Sequence, residues 1–189
     1  MMKIYLRILS LALLLIGFFS FGQTVPDGNW TANELTQYKT LRKLGSYVHK
    51  KEKNELSRDT LFTKYIYFDY LLKDPDTARK ERRVEAFDTI FEFFRQTVNK
   101  IGLENLDAKP IRFYKNHEIY KPFDKNVAKE SINNEKMYAD DQNVFVWFKK
   151  ENPENPLGTL LFEPQTNKLL TWIMIDQGGY KYFLLFNLF

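Results

Sequence analysis

The sequence predicts an α+β domain: two to three N-terminal helices packed on a curved antiparallel sheet of four to six strands. Three observations predict it. Apolar residues recur at steps of three and four between positions 31 and 101, the spacing of helix faces. From Pro110 onward the pattern changes to short runs rich in aromatic and β-branched residues, as in strands. The stretch 143–189 then reads as three or four strands with almost no polar face. Within 168–176, Leu169, Thr171, Ile173 and Ile175 would share one side and Leu170, Trp172 and Met174 the other, because successive strand residues point to opposite faces. A sheet wetted on one face alternates apolar and polar, so this one is expected to be covered on both.

The N-terminus stands apart. Lys3 and Arg7 precede an apolar run over 8–21, with small Ser20 and Gly22 before Gln23. That is the layout of a secretory signal peptide ending at residue 22, and the run is shorter than the roughly 20 residues that a helical bilayer span needs. Residues 23–189 are thus expected to form a single exported domain, periplasmic or secreted, with a membrane role only if the N-terminal segment is retained. Without Lys3 and Arg7, 26 basic residues face 24 acidic ones. So balanced a chain lacks the electrostatic footprint of a nucleic-acid binder. The chain has no cysteine, which removes disulfides, thiolate metal sites and Cys nucleophiles together. Packing must supply the stability, and 17 Phe, 11 Tyr and 3 Trp provide large areas to bury.

Thr31 and Glu34 fit a capping box, followed at helical spacing by Leu35, Tyr38, Leu41, Leu44 and Val48. Residues 56–72 carry both a helical stripe (Leu61, Tyr65, Phe68, Leu72) and a strand-like Ile66-Tyr67-Phe68. A helix is preferred, since Ser57 or Asp59 can cap it and Lys73-Asp74-Pro75 stops it. Over 76–101, Val84, Phe87, Phe91, Phe94, Val98 and Ile101 keep one stripe toward one partner, and Gly102 is placed to end the helix. Arg79, Lys80, Arg82 and Arg83 sit at its start, where the helix dipole disfavours cations.

Further on, 111–115 and 118–123 read as two strands around Asn116-His117, and 124–141 as a short helix plus loop. Strands follow at 143–149 and 157–163, separated by the two-proline loop 151–156. Gln177-Gly178-Gly179 supplies a hairpin turn before the last strand. This order of helices, short hairpin, polar segment and long meander is similar in outline to the cone-shaped folds of the nuclear-transport-factor-2-like type. The resemblance is one of element order alone, and it implies a pocket closed between helices and a curved sheet.

Motifs with specific chemistry are absent: no serine elbow, no HExxH and no phosphate-cradling glycine loop. His49 stands among lysines at a helix end, and His117 falls in a turn beside Glu118. His117, Glu163 and Asp176 are the candidates for a general base, the carboxylates because a strand-end acid turned into an apolar pocket has a raised pKa. Asp140-Asp141-Gln142-Asn143 is rich in oxygen but matches no calcium loop. No cofactor and no metal site is expected. The reading that follows is an exported, non-enzymatic binding or interaction module with an apolar pocket or partner surface on the sheet, marked by Trp147, Trp172 and Tyr182. Its expected partners are an apolar small molecule, another protein or a second copy of the chain, and not nucleic acid. The alternative is a small periplasmic enzyme working through one of the three base candidates.

Overall fold

A computed structural model describes residues 29–69, 73–123, 141–177 and 180–185, with backbone alone for residues 142, 176, 177 and 180–182. The chain divides into Met1–Trp30 and Thr31–Phe189, and the fold below is that of the second unit. Among the described residues no helix is long and apolar enough to cross a membrane.

Helix α1, Ala32–Val48, starts at the predicted capping box. Thr31 Oγ1 accepts the Glu34 N–H at 3.2 Å and Glu34 Oε2 accepts the Thr31 N–H at 2.6 Å. Gly45 lies buried in this helix, where a Cβ would come within 2.6 Å of Leu103 Cδ1. The helical cost of that glycine goes with the close approach of a distant segment, the 3-10 turn Leu103–Asn105.

Helix α2, Arg58–Lys64, is capped by Ser57, whose Oγ accepts the Thr60 N–H at 3.2 Å. It is shorter than the helix expected over 56–72, because the chain turns at Tyr65 and joins the sheet. Ile66 forms a parallel bridge to Leu169, with Tyr67 N–H donating to Leu169 O and Leu169 N–H to Tyr65 O, both at 2.8 Å. Ile66 and Phe68 become fully buried there, so both signals in the ambiguous stretch are used in turn.

Helix α3, Thr77–Ile101, buries Phe87, Phe91, Phe94 and Val98. Gly102 ends it at φ 87°, a left-handed conformation that glycine adopts without steric cost. Its cationic start is compensated from outside. Arg79 Nε and Arg83 Nη1 both donate to Asp74 Oδ2, at 2.8 and 2.7 Å, and the Arg79 hydrogen bond is the main cause holding the Asp74 carboxyl below the usual carboxylate range.

Strands β1 (Leu106–Pro110), β2 (Val144–Lys149), β3 (Gly158–Phe162) and β4 (Leu169–Thr171) form an antiparallel sheet in that order. Strands β5 (Met174–Gln177) and β6 (Tyr180–Phe183) pair in a second, two-stranded sheet. The class is therefore α+β, as the sequence predicts, with two corrections.

First, the strand expected over 168–176 is broken at Trp172-Ile173. Thr171 Oγ1 accepts the Ile173 N–H at 3.2 Å and donates to Leu184 O at 2.7 Å, so a side chain replaces the ladder at the break. Trp172 turns to the rings of Phe87, Phe91 and Phe94, while Leu170 and Met174 pack on the opposite side of the sheet. The three do not share a face. Second, the strands expected at 111–115 and 118–123 are 3-10 turns, Ile111–Tyr114 and Glu118–Phe123. Pro122 lies inside the second turn, and a proline offers no N–H to a ladder. The aromatic tips are fixed instead by side-chain bonds, Tyr114 Oη–H donating to Pro153 O at 3.0 Å and Tyr120 Oη–H to Asp141 Oδ2 at 3.1 Å.

Those turns cover the second face. Ile111, Tyr114, Tyr120 and Phe123, with Phe183 from β6, pack against Val144, Val146, Phe148 and Leu161. The chain itself thus supplies both covers, α3 on one side and the 3-10 layer with the hairpin on the other. The short helix plus loop expected over 124–141 lies, but for Asp141, outside the described residues, as do the turn glycines 178 and 179.

Candidate functional site

A groove of about 410 Å³ opens between α3 and the segment that runs from Lys53 into α2. Leu56, Leu61 and Phe91 form its apolar floor, and Lys53, Asn54, Arg58, Asp88 and Glu92 its rim. Two local devices hold the first wall. The turn Lys53–Glu55 is capped by Glu55, whose Oε2 accepts the Glu52 N–H at 2.6 Å, and the Ser57 N–H donates to Tyr47 Oη at 2.9 Å. The second wall is a flank of α3, where Asp88, Phe91 and Glu92 fall on neighbouring turns because of the helical period.

The walls are tied together at both ends. Arg58 holds Asp88 with two donors, Nε to Oδ1 at 3.1 Å and Nη2 to Oδ2. At the other end Arg95 donates to Lys51 O and, through Nε and Nη2, to Glu92 at 2.8 and 2.7 Å. That guanidinium is the main reason the Glu92 carboxyl is drawn down to about 2, with Gln96 adding a further hydrogen bond. Glu92 therefore stays ionised across the physiological range, while Leu61 and Phe91 are buried beneath the rim. A site of this size falls within the range of small-ligand pockets, about 300–1,000 Å³.

The aromatic residues singled out in the sequence lie elsewhere. Trp147 and Trp172 are half-buried and meet at one ring, Phe94, at 5.5 and 5.2 Å between centroids. Small neighbours make room for the Trp147 indole, since Ala108 and Gly158 pair with it from the adjacent strands. A narrow apolar cavity of about 30 Å³ beside it is lined by Leu41, Gly45, Phe94, Val98 and Leu103. That is room for about one water molecule, well short of a ligand. Tyr182 pairs with Ile175 through the backbone, and its side chain is outside the described residues.

The base candidates are also separated. His117 Nδ1 accepts the Ile119 N–H at 3.1 Å and Nε2 stands 3.2 Å from Glu154 O. Both imidazole nitrogens are thus committed to backbone groups, joining the 3-10 layer to the 151–156 loop. Glu163 accepts the Gln165 N–H at 3.1 Å and both the N–H and the hydroxyl of Thr166 at 2.6 Å. Burial pushes this carboxyl up, but those bonds and Lys168 outweigh it, and the net position is below the usual range. A carboxylate held ionised at a turn is a poor base. Asp176 lies in β5 opposite Lys181, its side chain outside the described residues. In the oxygen-rich stretch, Asp141 accepts Tyr120 and Asn143 Oδ1 accepts Gln37 Nε2 at 3.1 Å.

Sequence reasoning missed the groove. The spacing of Asp88 and Glu92 around Phe91 was available as a helix flank, but the opposing wall is a polar run that reads only as a helix end. No protein-family model, no curated protein and no solved structure matches the chain.

Proposed function

We propose that this chain is an exported, non-enzymatic binding domain that takes a small amphiphilic ligand in the groove between α3 and the segment leading into α2. The observation that carries the reading is the groove's construction: an apolar floor of Leu56, Leu61 and Phe91 under a charged rim, braced at both ends. Such a site removes an apolar body from water and leaves Lys53 and Asn54 at the mouth for its polar end. The commitment of His117 and Glu163 to backbone groups weighs against general-base chemistry at those positions. The signal-peptide layout of residues 1–22 supports export.

Titration with the anionic apolar fluorophore 1-anilinonaphthalene-8-sulfonate tests the groove. Saturable binding is expected for the folded protein and a loss of about tenfold or more in Leu56→Asp, because a charge on the floor must be desolvated by the ligand. Equal binding by wild type and Leu56→Asp, with both folded by circular dichroism, disproves the assignment. Export is checked separately by intact mass, which should place the mature N-terminus at Gln23.

A further inference from the structure

Helix α3 turns one face away from the sheet, and that face is centred on Phe93, 66 % exposed. Thr89 and Thr97 stand symmetrically, four residues to either side. Each returns its hydroxyl to the helix's own backbone, to Glu85 O at 3.1 Å and Phe93 O at 2.9 Å, so neither requires a polar partner outside the helix. Ala86 and Ile90 lie half-buried alongside. Further out, Glu85 and Lys100 are exposed, and neither has an ion-pair partner among the described residues.

We propose that this face is a self-association surface, on which a second copy of the chain packs antiparallel about a two-fold axis passing through Phe93. In an antiparallel helix pair, residues equally far from the axis and on opposite sides of it lie opposite one another. Phe93 then meets its counterpart, Thr89 comes opposite Thr97, and Lys100 comes level with Ala86 and the adjoining Glu85. An isologous interface requires a patch that complements itself. This one does, with an apolar centre, hydroxyls already satisfied, and opposite charges brought together twice by the symmetry. A lipid surface fits less well, because the face sets Gln96 and Glu85 among its cations and offers Phe93 as its one exposed large apolar side chain.

Sedimentation velocity on the full chain as its cell produces it, over micromolar to submillimolar concentrations, provides the test. A concentration-dependent dimer is expected, with Phe93→Glu raising its dissociation constant by about 30-fold or more. Glu85→Lys and Lys100→Glu should each weaken the dimer, and the double exchange E85K/K100E should restore it. A wild type that stays monomeric throughout, a dimer indifferent to Phe93→Glu, or a double exchange that fails to recover would each overturn the proposal. So would binding of the wild type to zwitterionic vesicles without self-association.

Discussion

Arg112 grips Glu34 across 78 positions of sequence, its Nε and Nη2 donating to the two carboxylate oxygens at 2.6 and 2.9 Å. Glu34 is only 2 % exposed, and the same carboxylate closes the capping box of α1. One acid therefore both starts a helix and fastens it to the turn after β1. Removing the guanidinium leaves a buried charge with little to balance it. Arg112→Ala is expected to cost about 2–3 kcal/mol, a range reduced for the partial exposure of Arg112. Glu34→Gln should cost less, since the amide still accepts from Thr31. Urea midpoints of the two variants measure this.

Ionisation sets limits on stability at both ends of the pH scale. Burial pushes the Glu34 carboxyl up, but hydrogen bonds from Arg112 and Thr31 outweigh it and leave it below its ordinary value. Glu92 is lower still, at about 2. Carboxyls depressed in the folded state stabilise it fully above their unfolded pKa of about 4.3, and that contribution is lost as pH falls through the folded values. Tyr114 moves the other way, pushed up to about 12 by burial and then by Glu154 and Asp107. Its contribution is complete below about pH 10 and is lost as pH rises through the folded value. The unfolding midpoint should be level between about pH 5 and 9 and fall on either side. Glu92→Gln should flatten the acid limb, and an unchanged acid limb would count against the role given to Arg95.

Phe94 is 3 % exposed and touches both Trp147 and Trp172. Truncation to alanine removes the ring that joins α3 to the sheet, at an expected cost of about 3–5 kcal/mol. Tryptophan emission should move to longer wavelength in the still-folded variant, as both indoles gain access to water. Emission that stays in place would show that the indoles are held by other contacts.

Gly102 combines φ 87° with a Cβ position only 2.5 Å from Glu104 Oε1. Gly102→Ala should destabilise by about 1–2 kcal/mol through backbone strain. Adding Glu104→Ala relieves the contact but not the dihedral angle, so most of the loss should remain in thermal unfolding of the double variant.

Where local pattern and tertiary role coincide, the fold was legible. Helix α3 is the clearest case, with its stripe from Phe87 to Val98 and its terminal glycine, and β2 and β3 follow closely. The pattern failed where one composition serves two structures. Ile111-Arg112-Phe113-Tyr114 has the residues of a strand, yet it folds as a 3-10 turn that lays Ile111 and Tyr114 on Val144, Val146 and Phe148 and leaves Phe113 exposed. Trp172 was placed by alternation with Leu170 and Met174, but the side chain of Thr171 ends the strand one residue earlier. The groove was illegible for a different reason. Arg58 and Asp88 carry no mutual spacing rule, and their pairing exists only once α2 and α3 are packed.

The ties between α1 and the rest of the molecule also bear on the order of events during synthesis. Its polar side chains find their partners far downstream: Tyr38 donates to Asp107, 69 positions later, and Gln37 to Asn143, 106 positions later. A nascent chain that has reached only α3 lacks every strand on which its helices rest. The polypeptide must therefore stay unfinished until its final third has left the ribosome, a slow and late completion of the kind long-range pairing imposes, and a state that can still be threaded through a narrow channel.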